Sequence, residues 1–130
     1  MRLFNIIPVL IAILFCVGCT QHQPIGIPQH QSTTTDVGFA SPQKLLEHFD
    51  KHGAEFGSIT IEEYLRQAQA LRDRPAGGSI LEFERSDGVI TRFDRDTGAF
   101  IAFNSDRTIR TYFKPNAGER YFERQRYRDE

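Results

Sequence analysis

A length of 130 residues leaves room for one domain, and a formal charge of −1, from 16 basic and 17 acidic side chains, gives the chain no global signature of a nucleic-acid binder. The near-zero balance hides a dipolar distribution. Seven basic residues (Arg107, Arg110, Lys114, Arg120, Arg124, Arg126 and Arg128) stand against Glu119 and Glu123 near the C-terminus, whereas from Asp36 to Tyr64 six acids outnumber Lys44 and Lys51.

The first element is a targeting segment. Met1 and Arg2 make a short positive start, Leu3 to Val17 an apolar run broken only by Asn5 and Pro8, and Gly18-Cys19 follows. This is the pattern of a secretory signal, too short and wrongly flanked for a membrane span. Its ending, Cys16-Val17-Gly18-Cys19, resembles a bacterial lipoprotein signal, with Cys16 where leucine is usual. The resemblance implies a signal peptide over 1–18 and lipidation, palmitate included, on Cys19. With Thr20 rather than aspartate next, it also implies anchoring in the cell envelope at the outer membrane. Both cysteines are then spent, so the exported domain is expected to fold without a disulfide, and cysteine nucleophiles and cysteine-rich zinc sites drop out. Residues 19–40, rich in Gln, Pro, Ser and Thr and without periodicity, read as a disordered tether.

The folded part is expected over 41–130. Ser41-Pro42 suits a helix start, and the first helix is expected to run to about His52, with Gly53 taking a positive φ that ends it. Thr60 and Glu63 form a Thr-x-x-Glu box, and Ile61, Tyr64, Leu65, Ala68 and Leu71 recur at three and four to give a second helix. From Ser79 the period changes to 2. Strands are expected over 80–85, 89–93, 99–103 and 108–113, joined by turns too tight for anything but antiparallel neighbours. After Pro115 a short helix runs through Tyr121, Phe122 and Gln125. The predicted architecture is α+β, with two helices packed on one face of a four-stranded antiparallel meander and a small helix after it.

Chemistry concentrates in His48-Phe49-Asp50-Lys51-His52-Gly53-Ala54-Glu55. On a helical wheel both imidazoles fall at the edge of the apolar arc made by Leu45, Phe49 and Phe56, the edge a packed helix turns to its neighbour. On the last strand Ile109, Thr111 and Phe113 share one face and Arg110, Tyr112 and Lys114 the other. If Ile109 and Phe113 mark the core side, Thr111 is the hydroxyl within reach of the histidines. A metal site on His48 and His52 with Glu55 is the weaker reading of the same residues, because no signature supplies the remaining ligands.

These residues also carry a resemblance. His48-Phe49-x-Lys51-His52-x-x-Glu55-Phe56-Gly57, then Glu63-Tyr64-Leu65 with Ala68, the Asp87-Gly88 hairpin, Thr97-Gly98-Ala99-Phe100, Ile109 to Pro115, and Tyr121-Phe122-x-x-Gln125 are together similar to C-terminal ribonuclease domains of bacterial polymorphic toxins. These are the contact-dependent-inhibition and LXG-type toxins of the barnase, EndoU, colicin and RelE class. The resemblance spans about 44–125. It implies a hydrolase that cleaves RNA without metal or cofactor, a cognate immunity protein as inhibitor, and a monomer. His48, His52, Glu55, Thr111 and Tyr112 are then the catalytic candidates, with Lys51, Arg110 and Lys114 as phosphate-binding ones. Two turns depart from the family: its members show Asn-Gly in the first hairpin and a Lys/Asp-Gly turn before the last strand, where this chain has Asp87-Gly88 and Asp106-Arg107. The competing reading is a non-catalytic envelope module that uses the same fold to bind a protein or an anionic partner.

Overall fold

Two helices open on hydroxyl caps. Ser41 Oγ accepts from the Lys44 N–H at 3.1 Å to start α1 (Pro42–His52), and Thr60 Oγ1 accepts from the Glu63 N–H at 3.2 Å to start α2 (Ile61–Asp73). The Glu63 carboxylate turns to Arg66 and Gln67. The computed structural model describes residues 37–127, so the signal over 1–18, Cys19 and most of the tether lie outside the described residues.

Gly53 does not end α1 in the expected way. Its φ is −55°, in the right-handed region, and the chain continues into a 3₁₀ turn over Gly53–Phe56 before Gly57 takes a φ of 90°. Glycine is needed at 53 for space: a Cβ there would meet the Phe49 ring at 2.7 Å.

The chain is α+β, and the strands β1 (Ile80–Glu84), β2 (Ile90–Asp94), β3 (Phe100–Phe103) and β4 (Ile109–Phe113) form one antiparallel meander in the order β1-β2-β3-β4. Every residue of β3 is buried, because the sheet is covered on both faces. On one face Tyr64, Ala68 and Leu71 of α2 meet Ile101, Phe103, Ile109 and Tyr112. On the other, Phe122 of α3 (Glu119–Arg126) closes a second core with Phe93, Phe100 and Ala102. The last helix therefore covers the sheet face opposite the first two.

A β-bulge decides which β4 side chains face which core. Tyr112 pairs with Ile101 and Thr111 with Ala102, but the register then slips so that Phe103 pairs with Ile109. One extra residue in β4 puts Ile109 on the α2 face with Tyr112 and leaves Thr111 and Phe113 on the α3 face. The expected grouping of Ile109 with Thr111 and Phe113 is thereby corrected. A strict period of 2 cannot anticipate an inserted residue.

The assigned tether also ends earlier than its composition suggests. Gly38 O accepts from the Ile109 N–H at 2.9 Å, and Phe39 makes a parallel bridge to Ile109, so residues 37–39 belong to the fold. The buried Arg72 guanidinium holds them there, donating to Val37 O, and to Arg107 O at 3.0 Å. The C-terminus of α2 is held by Arg92, whose Nη1 donates to Leu71 O at 3.1 Å, Arg72 O at 2.5 Å and Arg74 O at 2.6 Å. A cation on the last carbonyls of a helix satisfies acceptors that have no partner within it.

Candidate active site along the first helix and the last strand

α1 lies beside the outer edge of β4, and the two run in the same direction. At their start His48 and Arg110 line one cavity of about 210 Å³ together with Phe39, Lys44 and Thr108. At their end the His52 ring packs on Phe113 with centroids 5.1 Å apart. Phe39 lies 5.0 Å from His48, and His48 lies 6.2 Å from His52 with the rings 22° from parallel. Four rings thus stand in a file along the edge of the sheet.

The two imidazoles differ in what holds them. His52 Nδ1 faces Glu55 Oε1 at 2.8 Å, and Glu55 Oε2 accepts from the Lys114 N–H at 2.6 Å. The carboxylate fixes the His52 ring to the end of β4 and selects the tautomer with the proton on Nδ1, which leaves Nε2 as the reactive nitrogen. His48 has no such partner: its Nδ1 is buried without a hydrogen bond among the described residues. Burial, and then the charges of His52, Lys51 and Lys44, push the His48 pKa below the ordinary 6.5, against a smaller opposing pull from Glu47. His48 is therefore held neutral near pH 7.

The bulge separates the other candidates. Thr111 is half-buried on the face it shares with Phe113, and so on the side of β4 whose ring touches His52. Arg110 is exposed and, like the exposed Lys51, has no ion-pair partner among the described residues. Tyr112 points the other way. It is 3% exposed, stacks on Phe56 at 4.5 Å and lies 5.2 Å from Tyr64, whose hydroxyl donates to Tyr112 O. Burial first, and then Asp94 and Glu63, push its phenol above its ordinary value, which keeps its hydroxyl protonated. Lys114 follows Tyr112, with its ammonium 5.0 Å from the Phe56 centroid. Both line a different cavity, about 320 Å³, beneath α2.

The eight candidates thus fall apart. His48, His52, Glu55, Lys51 and Arg110 belong to the α1–β4 edge; Tyr112 and the side chain of Lys114 belong to the cavity under α2, tied to the first group through Glu55 and the Lys114 backbone; Thr111 lies on the sheet face that α3 covers. Phe39 and Phe113, which flank the two histidines, were not among the expected site residues, and neither stands out in the sequence from the other core aromatics. Among the described residues no three His, Cys, Asp or Glu side chains cluster as a metal ion would need. Compared with known proteins, the chain matches no protein-family model, and no curated protein matches it.

Proposed function

We propose that the α1–β4 edge is the active site of a metal-independent endoribonuclease of the toxin type. The observation that carries this reading is the pair of stacked imidazoles 6.2 Å apart, of which one is neutral and unpartnered and the other is oriented by a carboxylate. Cleavage of RNA by its own 2′-hydroxyl needs two proton transfers on one phosphodiester. Neutral His48 takes the 2′-hydroxyl proton as the 2′-oxygen attacks phosphorus. The bond from phosphorus to the 5′-oxygen breaks, and the leaving oxygen takes a proton from Nε2 of protonated His52, while Glu55 keeps that ring aimed. The products are a 2′,3′-cyclic phosphate and a 5′-hydroxyl.

The remaining residues supply charge and hydrogen bonds. Arg110 and Lys51, exposed and without a carboxylate partner among the described residues, draw in and steady the phosphate, whose negative charge grows in the transition state. Thr111 is the hydroxyl that the resemblance adds to this set. The resemblance to ribonuclease toxin domains supports the same assignment, and it brings a cognate immunity protein as the inhibitor and a monomeric enzyme. The lipoprotein-like N-terminus supports export and a lipid anchor at the outer membrane, with the domain held clear of the bilayer by its tether.

The test is incubation of residues 36–130, which contain both cores, with total RNA in EDTA, followed by analysis of the cut ends. The reading predicts cleavage that chelation leaves unchanged and ends that carry a cyclic phosphate. Intact RNA under these conditions sinks it and leaves the anion-binding or protein-binding envelope module as the better account. Cleavage lost on chelation supports the metal site instead.

A further inference from the structure

The cavity beneath α2 contains the two candidates that the histidine site does not use. Its walls are apolar where Phe56, Leu71 and Ala99 line it, and about 320 Å³ lies at the small end of the range for pockets that hold one small molecule. Three polar groups face it with capacity to spare. Lys114 has no carboxylate partner for its ammonium among the described residues, and that charge sits over the face of Phe56. The Tyr112 hydroxyl, unlike its backbone carbonyl, makes no hydrogen bond among the described residues. Gln67 gives its N–H₂ to Glu63 at 2.8 Å, which leaves its amide oxygen as an acceptor.

The buried carboxylate at the same cavity is already satisfied. Asp94, 3% exposed, accepts from Arg74 at 3.1 Å, from the Thr97 hydroxyl at 3.0 Å and from the Asp96 N–H at 3.0 Å. The net demand of the cavity is therefore for an anion, not a cation. A simple anion leaves the apolar walls and Gln67 unused, and an apolar ligand leaves Lys114 and Tyr112 unanswered. A flat heterocycle with donor and acceptor edges, linked to a phosphate, meets all of them.

From this we infer that the cavity is a nucleotide subsite, with the base between Phe56 and Leu71, its edge on Tyr112 and Gln67, and its phosphate on Lys114. Two sources share this chemistry. One is a free mononucleotide; the other, which rests on the ribonuclease reading, is one nucleotide of an RNA chain bound at the histidines. Glu55 makes the second geometrically direct, because its two oxygens join the Lys114 backbone to His52.

Titration of ¹⁵N-labelled 36–130 with nucleoside monophosphates, beside ribose 5-phosphate as the base-free control, tests this. The subsite predicts saturable amide shifts at Leu71, Thr97 and Ala99 with nucleotides. The shifts are much weaker with ribose 5-phosphate. Affinity is at least tenfold lower in Lys114→Gln, and also in Ala70→Trp, which places a large ring on an exposed helix position at the cavity mouth. Equal response to ribose 5-phosphate, or shifts confined to His48 and Arg110, overturns it. A dinucleotide lacking the reactive 2′-hydroxyl separates the sources: shifts in the cavity together with the His52 ring identify RNA, and cavity shifts no tighter than those of the mononucleotide identify a free nucleotide. Cleavage without nucleotide shifts removes the subsite alone. Nucleotide shifts without cleavage remove the ribonuclease reading alone.

Discussion

The two long helices begin alike and end in different roles. Both are amphipathic and opened by a hydroxyl cap, yet α1 has no fully buried residue, while α2 buries Tyr64, Ala68, Leu71 and Arg72. The polar groups that hold α2 to the rest of the fold are answered: Tyr64 by Tyr112 O, Arg72 by Asp73 and two carbonyls, and the helix C-terminus by Arg92. Along α1, among the described residues, the exposed Lys51 and, on the neighbouring strand, the exposed Arg110 have no ion-pair partner, while the buried His48 Nδ1 has no hydrogen bond. Satisfied networks hold a structure in one state, and unsatisfied groups near the surface are available to a ligand. The contrast assigns stability to α2 and chemistry to α1.

That contrast can be broken by mutation. Tyr64→Ala removes a side chain that is 0% exposed and touches Phe49, Phe56 and Tyr112. We expect a loss of about 4 kcal/mol in urea unfolding, and Tyr64→Phe, which leaves Tyr112 O without its donor, about 1–2 kcal/mol. An equal loss for His52→Ala on α1 would contradict the division of labour. The caps come next. Ser41→Ala and Thr60→Ala each remove one side-chain acceptor and are expected to cost about 1 kcal/mol, with Thr60→Ala lowering global stability and Ser41→Ala chiefly loosening α1, as read by hydrogen exchange.

The smallest effect is in pH. His48 is lowered in the folded state from 6.5, so the unfolded chain binds the extra proton more readily. Its contribution is therefore complete above about pH 6.5 and is lost as pH falls towards the folded value. The carboxylates act lower down: Glu63, drawn to about 2 by Arg66 and then Gln67, and Asp73, lowered by Arg72 and Arg107 against the opposing effect of burial, lose their contributions only below their unfolded values near 4. Thermal melts between pH 7.5 and 5 should show a fall in the wild type that His48→Gln reduces. A slope unchanged by that substitution would mean that His48 titrates as if solvated.

Much of this was legible in the sequence for identifiable reasons. Hydroxyl caps, 3.6-residue stripes and tight Gly-containing turns are local signals, and they placed α1, α2 and the four-stranded meander to within a residue or two. The Phe-Ile-Ala-Phe run of β3 carried a further signal, since a strand apolar on both faces needs cover on both, which is where α3 lies. What escaped was non-local. The bulge that turns Tyr112 into the α2 core and Thr111 away from it depends on the Asn104–Thr108 connection, where Arg107 takes a φ of 72°. That conformation costs a non-glycine residue about 1 kcal/mol. It is the position at which the resembling toxin domains carry glycine, and here the Arg107 ion pair with Asp73 and its carbonyl's bond from Arg72 hold it. Likewise Glu55 stood among the catalytic candidates beside the histidines, but its bond to the Lys114 backbone links residues 59 apart and has no local trace.

The most direct measurement compares RNA cleavage rates of the wild type, His48→Ala and His52→Ala in EDTA at pH 7, each normalised to its folded fraction from thermal unfolding. The account predicts that each substitution lowers the rate by about 10²–10⁴-fold while stability stays within about 1 kcal/mol of the wild type, because neither side chain belongs to a fully buried core. Cleavage that survives both substitutions at the wild-type rate would contradict it and move the chemistry off the first helix.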